Sequence, residues 1–175
     1  NQKLANPVPA DRPLLFTDLQ PIERERGFSS RPREDRRAYA VAVDAVSAVN
    51  YLIQPDDRVD VIGSFTIPDY KGDSSIDMVT LTLIQNVKVL ATGSRWETNS
   101  YSRPDPNGSR AYNTVTLELF PSEVELVSFA AQRGRLSLSL RNNKDSRVLP
   151  NPQSVNFKTM LESLPEYTKR RSSTL

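Results

Sequence analysis

The sequence predicts a mainly β fold of the α+β kind with one short helix, and three features carry that prediction. Apolar and polar residues alternate over several separate runs, as in Thr114 to Leu119 and Arg135 to Arg141. A single stretch, Ser122 to Gly134, has helical spacing instead. Thirteen prolines against six glycines punctuate the remainder with loops and turns.

Composition narrows the function before any element is placed. A chain of 175 residues supports one domain, or one domain and a fragment of a second. The 23 basic and 21 acidic side chains nearly cancel to +2, so no whole-molecule field argues for nucleic acid. The chain has no histidine and no cysteine. That removes histidine general bases, Ser-His-Asp and Cys-His nucleophiles, and thiolate metal sites, so no cofactor and no metal is expected. Without cysteine the compartment stays undecided. No apolar run approaches the ~20 residues that span a bilayer, and Asn1 to Pro9 holds no signal-peptide core. The expectation is a soluble chain or a targeting segment further upstream.

Along the chain, residues 1–27 carry one apolar cluster, Leu14-Leu15-Phe16 followed by Thr17-Asp18-Leu19, and read as the tail of a small module. Residues 28–37 form a link in which Arg31, Arg33, Arg36 and Arg37 mix with Pro32, Glu34 and Asp35. A solvated linker is its first reading and an anion site its second. The main domain, 38–145, opens with a strand over Ala38 to Val43, where Tyr39, Val41 and Val43 alternate with alanines. Asp44 to Leu52 breaks the alternation, with Asp44 or Ser47 placed to cap a short helical turn. Gln54-Pro55-Asp56-Asp57 is a turn, and Arg58 to Phe65 a second strand with Val59, Val61 and Phe65 on one face. Pro68 to Asp77 reads as a loop.

Met78 to Leu90 is the longest strand-like stretch, with Val79, Leu81 and Leu83 on one face. Ile84 shifts the phase, so Val87 and Val89 continue it only across a bulge or bend at Gln85-Asn86. Gly93 to Ala111, with Pro104-Asp105-Pro106-Asn107-Gly108, reads as an exposed hairpin loop. Tyr112 to Phe120 is a half-buried strand whose Thr114, Thr116 and Glu118 should meet water. A helix follows, with Ser122 as N-cap, Glu125 at the third position, an apolar stripe of Val124, Leu126, Val127, Ala130 and Ala131, and Gly134 as left-handed stop. Arg135 to Arg141 is the last strand, and 146–175 is expected to be an extended tail.

Four blocks resemble a known family. They are Ala38 to Val49 with its Asp44-Ala45-Val46-Ser47 turn, Ile53 to Val61 with Pro55-Asp56-Asp57-Arg58-Val59-Asp60-Val61, Leu83 to Ala91 with Gln85-Asn86-Val87, and Thr114 to Leu117 leading through the helix to Arg133-Gly134-Arg135 and Asn142. Together they look like the CpaB/RcpC domain of Flp/Tad pilus assembly proteins, across Ala38 to Asn142. Upstream, Asn6 to Leu19 resembles the second half of a SAF domain, a β-clip-like module. Asp56 stands where the family's turn has glycine, and Asp11 where the SAF phrase has glycine. Asp tolerates left-handed backbone, so the turns should survive. The resemblance implies a non-enzymatic periplasmic assembly subunit, tethered to the inner membrane by a helix absent from this chain. Its implied partner is the outer-membrane secretin of the same system (CpaC/RcpA type), with copies arranged as a homo-oligomeric ring.

The individual residues have plain readings beside functional ones. Asp57 and Asp60 lie on opposite faces of a strand, so a turn cap and a structural Arg–Asp pair are favoured over an acid/base site. Gln85 and Asn86 need partners inside an apolar strand, which points first to a bulge and second to a ligand site. Arg95, Trp96, Tyr101 and Arg103 form a candidate protein interface, ahead of base stacking on nucleic acid. The terminal Lys169-Arg170-Arg171 reads as solvated charge, or as a contact to lipid, peptidoglycan or a partner. Two rival functions stay open: a peptidoglycan- or carbohydrate-binding module using an exposed Trp96, and a hydrolase with two carboxylates converging in space.

Overall fold

A computed structural model of the chain describes residues 27–68, 76–96 and 111–172, with Val8, Pro9, Asp11, Pro13 and Asp18 ahead of them. The chain divides into two compact units, Asn1–Arg33 and Glu34–Leu175. In the first, Phe28–Ser30 makes one tight turn whose Ser30 hydroxyl donates to the Gly27 carbonyl at 2.9 Å. The expected SAF-like segment, with Leu14-Leu15-Phe16, lies almost entirely outside the described residues.

The second unit is built on one antiparallel sheet of five strands: β1 (Arg37–Ala42), β2 (Arg58–Pro68), β3 (Ile76–Thr92), β4 (Thr114–Leu119) and β5 (Gly134–Leu140), in the spatial order β1-β4-β3-β2-β5. Helix α1 (Pro121–Arg133) lies on one face and touches β1, β2, β4 and β5. The period-two apolar residues point under it. Val41, Val59, Val61, Val87, Val89, Val115, Leu117, Leu119, Leu136 and Leu138 form one buried cluster with Val127 and Ala130 of the helix. This burial supplies most of the fold's driving force, at about 25 cal/mol per Å² of apolar surface.

Between β1 and β2 the chain turns twice. Asp44 and Ser47 cap each other reciprocally: Ser47 N–H donates to Asp44 Oδ1 at 2.8 Å, and Asp44 N–H to Ser47 Oγ at 2.8 Å. Val49, Asn50 and Tyr51 then stand consecutively in left-handed backbone, at φ 51°, 53° and 60°. Tyr112 braces them, its ring edge-on to Tyr51 at 5.2 Å and its hydroxyl donating to the Ile53 carbonyl at 3.1 Å. In the following turn Asp56 adopts φ 75°, so an aspartate does hold the position the family gives to glycine.

β3 is a single 17-residue strand that changes phase without ending. Its pairing with β2 slips between Val59↔Val87 and Val61↔Ile84, and Asn86 sits at φ 58° in the resulting bulge. The loop expected over Pro68 to Asp77 is shorter than that, because β2 runs to Pro68 and β3 starts at Ile76.

Four further expectations are corrected. The helix begins two residues earlier than expected: Pro121 occupies its first position, and Glu123, not Glu125, accepts the Phe120 N–H at 2.8 Å. Its apolar stripe is narrower, since Leu126 and Ala131 are exposed while Val127 and Ala130 are buried. Gly134 is not left-handed. It is extended at φ −157° and opens β5 directly, and it must be glycine because a Cβ there would lie 2.3 Å from the Ser64 carbonyl oxygen. Glu118 does not meet water but is buried between Ala38 of β1 and Lys88 of β3, because β4 is an interior strand.

The C-terminal segment also departs from the extended tail expected over 146–175. Residues 142–155 run back along the sheet as a strap, and Phe157–Ser172 form a second helix, α2. The strap covers backbone that β4 leaves open, since β4 pairs only with Lys88 to Thr92 of β3. Thr80 and Val155 exchange backbone hydrogen bonds of 2.9 and 2.7 Å. Strand edges left bare recruit other strands, so the strap closes a hazard as well as ordering itself.

Candidate functional site

The family-like motif residues converge on the β3 bulge. Asp60, on β2, accepts the Asn86 N–H at 2.8 Å and the Arg141 Nη1 at 2.8 and 2.9 Å. Arg58, two residues earlier and therefore on the same strand face, donates to the Asn86 carbonyl at 3.1 Å. The backbone of a left-handed residue is thus held from both sides. Asn86 Oδ1 is buried without a hydrogen-bond partner, so the residue's value at this position is its backbone conformation.

Arg141 carries the network into the strap. Its side chain is 9% exposed, and beyond Asp60 it reaches the Asp145 carboxylate at 3.4 Å and donates to the carbonyls of Asp145 and Arg147. Gln85 clamps the strap a second time: its amide donates to the Leu149 carbonyl at 3.0 Å and accepts the Leu149 N–H at 3.0 Å. The Gln85 amide is therefore accounted for by architecture and Asn86 forms the bulge, the first of the two readings offered by the sequence. The Arg–Asp pair expected within Asp57-Arg58-Val59-Asp60 is replaced by another: Arg58 donates to the Asn86 carbonyl, and Asp60 takes its guanidinium from Arg141, 81 residues further on.

The remaining motif residues serve turns and core. Asp57 caps its own turn by accepting the Gln54 N–H at 2.8 Å behind Pro55, and Val59 and Val87 are core. Val46 is 84% exposed at the tip of the turn that Asp44 and Ser47 close. Ser47 hydrogen bonds, chiefly from its backbone N–H, hold the Asp44 carboxyl below its ordinary value, helped by Arg135 across the cleft. That cleft, about 370 Å³, lies between Ala42–Val43 and the start of β5, and its facing charges are this ion pair. Asp145 is lowered in the same way by Arg147.

Among the proposed interface residues, Arg95 is exposed and Trp96 half-buried beside a tight turn in which Thr92 and Arg95 exchange backbone hydrogen bonds at 2.8 and 3.0 Å. Tyr101 and Arg103 lie outside the described residues.

Sequence reasoning missed α2, although its signals were present. Asn156 and Thr159 form a reciprocal cap, at 2.8 and 2.9 Å, and Phe157, Met160, Leu161, Leu164 and Tyr167 recur at helical spacing. Pro165 and the polar flanks disguised it.

Among the described residues no group of acidic side chains is placed to hold a metal, and no helix is long and apolar enough to cross a membrane. Asp60 and Asp145 come together only around the guanidinium of Arg141. Asp57, Arg58, Asp60 and Gln85 thus hold turn, bulge and strap. The chain belongs to the Flp pilus assembly protein RcpC/CpaB family, whose model matches residues 26–141, well over half of its length. No curated protein and no solved structure matches it.

Proposed function

We propose that this chain is a non-enzymatic scaffold subunit of a Tad/Flp pilus machine, working in the periplasm by protein–protein contact with the outer-membrane secretin. The family match over residues 26–141 carries this reading. The geometry supports it: the polar motifs that could have been mistaken for chemistry are engaged in intramolecular pairs, as with Asp60, Arg58, Asn86 and Arg141. Anchoring to the inner membrane and a ring of copies matched to the secretin belong to the same proposal. The peptidoglycan-binding alternative called for an exposed aromatic platform, and half-burial of Trp96 does not favour it.

The test is co-purification from envelopes solubilised in mild detergent. The chain should elute with the intact secretin, and the complex should be visible by electron microscopy. Separation of the two while the secretin stays assembled would count against the proposal.

A further inference from the structure

Helix α2 is built as if to be covered, yet none of its apolar residues is buried among the described residues. Phe157, Met160, Leu161, Leu164 and Tyr167 are 69, 39, 53, 50 and 52% exposed. They fall at i, i+3, i+4, i+7 and i+10, which aligns them in one stripe along the helix. The less exposed positions, Thr159 and Ser163, are polar and lie on a different face; the Thr159 hydroxyl is used in the cap with Asn156, and the Ser163 hydroxyl donates to the Thr159 carbonyl. The helix therefore turns polar residues inward and its apolar stripe outward, the reverse of a helix packed for stability.

Two further observations bear on what the stripe meets. At its C-terminal end Lys169 and Arg171 make no ion pair among the described residues, while Arg170 is taken up by Glu166 at 2.8 Å. Arg171 follows Leu164 by seven residues and so lies in line with the stripe. An occupant must combine an apolar groove with carboxylates at one end. An anionic bilayer fits less well, because the polar face opposite the stripe carries Glu162 and Glu166, where a helix lying on a membrane would be rich in lysine or arginine. Pro165 also removes one helical hydrogen bond, and no α2 residue is buried, so the isolated helix gains little from its own chain. The strap clamps at Leu149 and Val155 fix where it starts.

We infer that α2 is the docking element of this subunit, its stripe seated in an apolar groove with an acidic rim on another protein of the pilus machine. This rests on the scaffold reading above and deepens it. A photo-crosslinking amino acid placed at Leu161 of the full-length protein, in cells assembling pili, should give an adduct identified by mass as a pilus-machine subunit. The same probe at Thr159 should give at least fivefold less. Lys169→Glu with Arg171→Glu should reduce the Leu161 adduct by a similar factor. An adduct only with a second copy or with lipid, or equal yields at 161 and 159, would overturn the inference. Leu161→Asp with Leu164→Asp, whose exposed positions leave folding intact by circular dichroism, should reduce secretin co-purification about tenfold. Undiminished co-purification would overturn the docking role and leave the secretin reading standing. An adduct with a different pilus-machine subunit would do the opposite.

Discussion

Replacing Arg141 by methionine tests the central structural claim, because methionine keeps much of the packing volume and deletes only the guanidinium. The change leaves the Asp60 carboxylate with the Asn86 N–H as its remaining partner and releases the Asp145 and Arg147 carbonyls. Breaking a buried pair from one side costs about 3–5 kcal/mol. Asp60 is 20% exposed and can recover some water, which lowers the expectation to about 2–4 kcal/mol. At a urea dependence of about 2 kcal/mol/M, the unfolding midpoint should fall by roughly 1–2 M. Limited proteolysis should also cut faster within residues 142–155, since that strap loses its anchor. A cycle with Asp60→Asn should return a coupling of at least about 1.5 kcal/mol. A midpoint shift worth less than about 1 kcal/mol, or a coupling near zero, would refute the reasoning.

Gly134→Ala should destabilise by about 1–3 kcal/mol in the same urea assay, because the new Cβ meets the Ser64 carbonyl and the Phe65 ring. Gly134→Asn should cost at least as much; a left-handed stop would instead have accepted asparagine. Asn86→Gly should be neutral or stabilising by up to about 1 kcal/mol, since glycine takes φ 58° freely and the unpartnered amide oxygen disappears. Stability should have limits at both ends of the pH range. Asp44 and Asp145 lie below 3.8 through hydrogen bonds from Ser47 and Arg147, so their contribution is complete above pH 3.8 and is lost as pH falls through their lower folded values. Tyr112 lies above 10.0 through burial, so its contribution is complete below pH 10.0 and is lost as pH rises through its folded value. Urea midpoints across that range should trace both limbs, and Tyr112→Phe should flatten the alkaline one.

Local chemistry was the legible part of this fold. The alternation of Val115, Leu117 and Leu119 gave a strand, Pro55 and Asp56 gave a turn, and the phase break at Ile84 located the bulge. Where a residue's role depends on a neighbour distant in sequence, the reading failed. Glu118 alternates as a solvent-facing residue should, and only the insertion of β4 between β1 and β3 buries it. Gly134 follows a helix as a stop glycine should, and only the approach of Ser64 and Phe65 gives its real reason. Arg141 as the partner of Asp60 was invisible for the same cause. The α2 helix was missed differently, because a helix with an outward apolar stripe and an internal proline resembles a polar tail by composition.

The network and the helix are parts of one device, which makes their perturbations separable. Asp60, Asn86 and Arg141 order the strap at its start, Gln85 holds it at Leu149, and Thr80 holds it at Val155, two residues before α2 begins. Each clamp limits the arrangements from which α2 can engage a partner, and ordering a binding element beforehand lowers the entropy lost on association. Arg141→Met should therefore weaken both folding stability and partner binding, whereas Leu161→Asp with Leu164→Asp should weaken binding alone. If loss of Arg141 left binding intact while the strap was cut freely, the strap would be only an edge cover for β3 and α2 would dock as an independent peptide.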